Sequence, residues 1–177
     1  MARDRGHRAH DGALPRRYDL SGRLARLARR LGQKRVVVLL ARTVIVPVDR
    51  VVSRLTRGRL VTFNLRDLPS LLLITIGRRS GEPRTVPLLY LADGEDFIVM
   101  ASNFGQRSHP AWSANLLAHP DATVMVGGKP LPVRAVLAEG DERVRLVARM
   151  KELWPAYGSY EVWASNRTLR VFRLSPR

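Results

Sequence analysis

The chain has 177 residues, 45% of them hydrophobic, and sets 31 Lys+Arg against 15 Asp+Glu for a formal net charge of +16. That length suits one domain with appendages, and the apolar content suffices for a core without covalent staples. The lack of cysteine excludes disulfides, thiolate metal sites and a cysteine nucleophile, and of the four histidines only His7 and His10, in the tail, lie three to five residues apart, so a His-based metal site is not expected.

The charge is concentrated early. Residues 1–68 hold 17 Lys/Arg and 5 Asp/Glu, whereas residues 69–177 hold 14 and 10. A basic arm of this kind suits nucleic acid, an anionic membrane surface or an acidic partner, and charge alone does not choose among them. Only three of the basic residues are lysines (Lys34, Lys129 and Lys151), a skew that reads as coding bias before it reads as chemistry.

In chain order, residues 1–20 are polar, Arg-rich and broken by Gly and Pro, and are expected to be a disordered basic tail. Ser21 then reads as the cap of an amphipathic helix, with Leu24, Leu27, Ala28 and Leu31 on one side and Arg23, Arg26, Arg29 and Arg30 on the other. Residues 21–67 are thus expected to form a basic helical arm, either packed on its own domain or lying on a membrane surface. The longest apolar stretch, Val36 to Val48, is 13 residues and is interrupted by Arg42, whereas a membrane span needs about 20. Arg16-Arg17 is followed by no apolar run with a small-residue cleavage site, so a cytoplasmic location is expected.

From residue 68 the pattern changes to strands. Leu71–Ile76 is a short apolar run, followed by the turn cluster Gly77-Arg78-Arg79-Ser80-Gly81-Glu82-Pro83, a second strand from Arg84 to Leu91, and a third from Phe97 to Ala101 after Asp93-Gly94. Pro110 opens a helix through Ala118; Ala122–Val126 and Leu131–Leu137 flank Gly127-Gly128 as a hairpin. Asp141 is expected to cap a helix carrying Val144, Leu146, Val147 and Met150, and Thr168–Leu174 is the last strand. Six short, mostly antiparallel strands with inserted helices predict a small barrel of α+β class over residues 68–177.

Three groups of residues carry candidate chemistry. Arg78, Arg79 and Arg84 with Ser80 and two glycines crowd one hairpin turn, where guanidinium forks suit phosphate or carboxylate oxygens and glycines admit close backbone approach. A solvated basic turn is the plainer alternative. Trp112 and Asn115, three apart, share one face of the Pro110 helix, and either a ligand pocket or a buried Trp beside a capping Asn explains them. The segment Trp154-Pro155-Ala156-Tyr157-Gly158-Ser159-Tyr160-Glu161-Val162-Trp163 concentrates two Tyr and two Trp, which either pack a core or wall a flat conjugated ligand. No Ser-His-Asp order and no carboxylate pair supports hydrolysis.

Taken together, GRRSGEPRTVPL, ASNFG with SHPAWSANL, and WPAYGSYEVWASNRTLRVFRL resemble the deazaflavin-dependent nitroreductase family of actinobacteria over about residues 68–175. The resemblance implies a split β-barrel of the flavin-reductase type that binds coenzyme F-420, an 8-hydroxy-5-deazaflavin, and passes a hydride from its reduced form to a quinone or a nitroaromatic. It implies that Arg78, Arg79, Ser80 and Arg84 hold the phosphate and polyglutamate tail, and that Pro87 lies beside the ring. It places Ala101, Ser102 and Asn103 against ring and tail, Trp112 and Asn115 at the mouth of the pocket, and Tyr157 and Tyr160 on the substrate side as catalytic residues. No metal is implied. Trp154 and Leu89 stand where family members often carry Tyr, and Asn103 where Lys is common.

Two other readings belong to different classes. One is a barrel of this kind that binds a lipid, flavin mononucleotide or haem. The other is a membrane-surface or nucleic-acid protein acting through residues 1–35; Tyr18 and Phe63 are the arm's only aromatics, so platforms for stacking bases are scarce and nucleic acid is disfavoured.

Overall fold

The computed structural model describes residues 68–177, so the expected basic tail and helical arm, including residues 1–35, lie outside the described residues. Strand β1 (Ser70–Ile76) pairs with β2 (Pro83–Asp93), and β2 with β3 (Asp96–Met100). Helix α1 (Ala111–Ala118) leads to the hairpin β4 (Asp121–Val126) and β5 (Lys129–Leu137). Helices α2 (Gly140–Leu153) and α3 (Ala156–Trp163) precede β6 (Val171–Pro176). All six pairings are antiparallel and close a barrel in the order β1-β2-β3-β6-β5-β4.

The period-2 alternation of each strand divides the apolar residues into two cores. Leu71, Leu73, Tyr90, Phe97, Val99, Val124, Val133, Phe172 and Leu174 fill the interior, and Trp112 and Leu116 of α1 plug one end. The intervening outward residues, Ile98, Met100 and Val171 among them, pack against Leu146, Val147, Met150 and Leu153 of α2 and Ala156, Tyr157 and Tyr160 of α3. A single barrel with a helical layer on one side is the result.

Two local details differ from expectation. Asp141 is not the cap of α2: Glu139 precedes the helix, Gly140 opens it at a φ of 51°, and Asp141 and Glu142 lie in the first turn. There they face the positive end of the helix dipole instead of capping one N–H. The last strand begins at Val171 and not at Thr168, because the turn after α3, closed by the Arg167 N–H on the Ala164 carbonyl, occupies the chain just before it, and the chain meets β3 only at Arg170, whose carbonyl accepts from the Ala101 N–H. Among the described residues no helix is long and apolar enough to cross a membrane.

Candidate functional site

The β1–β2 turn is drawn tight by its own backbone: the Gly77 N–H donates to the Glu82 carbonyl and the Gly81 N–H to the Gly77 carbonyl, both at 2.8 Å. A Cβ at Gly77 would stand 2.7 Å from the Ser80 Oγ, so glycine is required for that hydroxyl to tuck inward. Ser80 Oγ in turn accepts from the Glu82 N–H and from Arg84 Nη2, each at 3.3 Å, which orients one guanidinium from within the turn. Below it, a buried polar relay fixes the turn to α1. Asn115 Oδ1 accepts from the Arg78 N–H at 3.2 Å, and its Nδ2 donates to Thr75 Oγ1 at 3.1 Å. Asn115 and Thr75 are 4% and 0% exposed, so each of these bonds satisfies a group that water cannot reach. Arg78, Arg79, Ser80 and Arg84 are exposed. The ion pairs among the described residues include none of the three arginines.

Farther along β2 the surroundings become apolar. Leu89 and Leu91 pack against the cluster that holds Met100, Trp154, Tyr157 and Tyr160. Helical spacing puts Tyr157 and Tyr160 on one face of α3, their rings 6.0 Å apart and nearly perpendicular. Tyr160 also packs edge-on to Phe104 at 6.2 Å and against Trp163 at 5.6 Å, and it is hydrogen-bonded to the Trp154 side chain. Burial, and secondarily the neighbouring Tyr160, pushes the Tyr157 phenol well above the usual tyrosine range; burial also raises Tyr160, against the opposing bond from Trp154.

The loop after β3 completes this corner. Asn103 and Phe104 adopt left-handed backbone with φ of 48° and 54°, the only non-glycine residues among those described that do so. At Gly105 a Cβ would lie 2.9 Å from Trp163 Cβ and 3.0 Å from Tyr160 Cα, so loop and α3 meet backbone to backbone. Asn103 Nδ2 donates to the Ser108 carbonyl at 2.9 Å. Arg167, just beyond α3, donates to the carbonyls of Ala101, Ser102 and Gln106.

The fold therefore brings Tyr157, Tyr160 and the Ser102–Asn103 loop together. It joins Asn115 to the arginine turn and sets Pro87 on β2 between the two groups. Trp112 faces the barrel interior, 5.8 Å from Phe172, and the Ala101 side chain is likewise interior. Arg167 escaped the sequence reading, since one arginine in an Arg-rich chain carries no local signal of the carbonyls that it meets.

A family model described as F420H(2)-dependent quinone reductase matches residues 48–176. A Mycobacterium tuberculosis protein named for F420H(2)-dependent quinone reduction is 39% identical over 112 residues, covering 63% of this chain and 93% of that protein. Another F420H(2)-dependent quinone reductase of that organism is 43% identical over 67 residues, 38% of this chain and 45% of its own length. Among solved structures, an F420-H2 dependent reductase superposes with a TM-score of 0.56 at 33% identity, covering 60% of this chain and 94% of that one. A chain described as a domain-swapped dimer gives a TM-score of 0.58 at 30% identity, covering 73% and 99%.

Proposed function

The chain belongs to the F420H(2)-dependent quinone reductase family, an oxidoreductase family whose cofactor is coenzyme F420, and on that premise we propose a division of labour between the two ends of β2. The supporting observation is their contrast. Three exposed guanidiniums that pair with no carboxylate among the described residues stand at one end, and a buried pair of phenols packs against Leu89 toward the other.

In this reading Arg78, Arg79 and Arg84 bind the phosphate and glutamate carboxylates of the tail, with Ser80 aiming Arg84. Pro87 and Leu89 floor the ring, Ser102 and Asn103 edge it, and Asn115 holds the turn in register. Trp112 supports this end of the barrel from inside. Reduced F420 supplies the hydride when bound. The chain's own contribution to chemistry is Tyr157, which holds a proton at its Oη and donates a hydrogen bond to the acceptor oxygen as negative charge develops there. Its raised pKa keeps that proton in place throughout the neutral range. Tyr160 orders the Tyr157 ring and is the second candidate donor. Nitroaromatics present an equivalent oxygen and are proposed as alternative acceptors.

The decisive experiment mixes purified full-length protein with reduced F420 and menaquinone and follows cofactor reoxidation. Reoxidation that depends on both protein and quinone is expected; none with any quinone overturns the reading. We further propose a cytoplasmic protein whose residues 1–35 lie at the inner membrane face, where a quinone acceptor resides, because basic amphipathic segments adsorb to anionic headgroups. Deleting residues 1–35 is expected to leave turnover of a water-soluble quinone intact and to abolish sedimentation with anionic vesicles. A truncated protein that still pellets refutes the arm as anchor.

A further inference from the structure

We propose that Arg167 is a positioning residue: its guanidinium locks the left-handed loop Ser102–Gly105 in the one conformation that receives the cofactor. The inference rests on the reading above that this loop edges the ring.

The observations converge on one side chain. Nη2 donates to the Ser102 carbonyl at 2.7 Å, Nε to the Gln106 carbonyl at 2.9 Å, and Nη1 to the Ala101 carbonyl at 3.2 Å. Nη1 also lies 3.3 Å from His109 Nδ1. Among the described residues no carboxylate pairs with Arg167. Its countercharge is a ring of backbone dipoles, and burial followed by the nearby Arg170 lowers its affinity for its proton. An arginine placed for fold stability alone would more simply meet an acid, as Arg173 does with Asp93, Asp96 and Glu142.

What those acceptors have in common is the loop. Ala101 and Ser102 are its entry, Gln106 its exit, and His109 lies just before α1. Between entry and exit stand Asn103 and Phe104, whose left-handed backbone is unfavourable for residues with a Cβ and persists only where the surroundings impose it. A planar fork with five N–H groups can bind carbonyls on both sides of such a kink at once, which a lysine ammonium cannot match in geometry. Arg167 also belongs to the tyrosine element. Its own N–H donates to the Ala164 carbonyl at 2.8 Å, closing the turn after α3. The residue that fixes the loop is thereby fixed to the helix bearing Tyr157 and Tyr160.

The test uses full-length Arg167→Ala and Arg167→Lys. Without cofactor, amide exchange at Gly105 and Gln106, whose N–H groups bond to Ser102 and Asn103 across the kink, is expected to quicken about tenfold in both variants while the barrel strands exchange as in the parent. F420 dissociation constants are expected to rise about tenfold, with turnover at saturating cofactor falling less than about threefold. Millimolar guanidinium, but not sodium chloride of equal ionic strength, is expected to restore binding to Arg167→Ala. Parent-like exchange in the loop overturns the proposal. A loosened loop with unchanged F420 affinity also overturns it, because it removes the loop from the cofactor site while leaving the family chemistry intact. Should Arg167→Ala fail to fold, Arg167→Lys alone decides by the same two measurements.

Discussion

Along β2 the chain passes from a solvated hairpin, where Arg78, Arg79 and Arg84 are exposed, to a corner where Tyr157 and Tyr160 keep only 5% and 4% of their exposure. The hairpin is shaped by hydrogen bonds among Gly77, Ser80, Glu82 and Arg84. The corner is shaped by packed rings and by one glycine close enough to touch the helix backbone. Exposed guanidiniums remain hydrated and screened, so they suit reversible capture of an anion and weaken with salt. Buried phenols have no such screening and hold their protons firmly, which suits a step in which charge appears and disappears. The comparison predicts that substitutions of the hairpin arginines change affinity and those of the buried phenols change rate.

The sharpest way to break that division is Tyr157→Phe, which retains the ring and removes only the hydroxyl. Turnover is expected to fall about a hundredfold with F420 affinity nearly constant, by comparison with loss of one oxyanion-hole donor. Steady-state kinetics beside fluorescence titration measures both, and parent-like turnover would transfer the role to Tyr160. Arg84→Ala is expected to act in the opposite sense, raising the F420 dissociation constant about tenfold with little change in turnover, since a charge-assisted contact contributes about 1.5–3 kcal/mol. In the parent, added salt should imitate it. Lost turnover with unchanged affinity would place Arg84 in the chemistry. Ser80→Ala should weaken F420 binding by only about threefold, because the guanidinium stays and loses one long, solvent-exposed hydrogen bond, at 3.3 Å, that water can replace; a loss as large as that of Arg84→Ala would show that the hydroxyl itself meets the cofactor.

The smallest effect expected lies away from both regions. Asp93 accepts from Arg149 and Arg173, and these bonds, Arg149 foremost, hold its carboxyl below the ordinary value of 3.8 despite the opposing effect of partial burial. A carboxyl whose folded pKa is depressed contributes stability above its unfolded pKa and loses it as pH falls through the folded one. Thermal stability is therefore expected to decline below about pH 4 more steeply in the parent than in Asp93→Asn. Equal slopes in the two proteins would remove Asp93 from the acid response.

Much of the scaffold is legible in one dimension. The short apolar runs Leu71–Ile76 and Phe97–Ala101, and the glycines at Gly81, Gly94, Gly127 and Gly128, locate strands and turns because strand composition and positive φ are local requirements. The crowding of arginines around Ser80, and of Tyr and Trp between Trp154 and Trp163, likewise shows as composition. Barrel closure does not, since pairing β1 with β4 and β3 with β6 joins residues far apart in the chain.

The sequence by itself determined which segments are strand-like, where the chain turns, and which side chains could meet an anion or a flat ring. Only the tertiary structure decided which of them serve the same place. It turned Trp112 inward as a plug, made Asn115 the anchor of the arginine turn, and brought Arg167 to carbonyls some 60 residues earlier in the chain. The physical reason is that a backbone carbonyl has no sequence identity. A contact between a side chain and a distant carbonyl leaves no pattern in either segment, and it exists only once the barrel and its outer helices have packed.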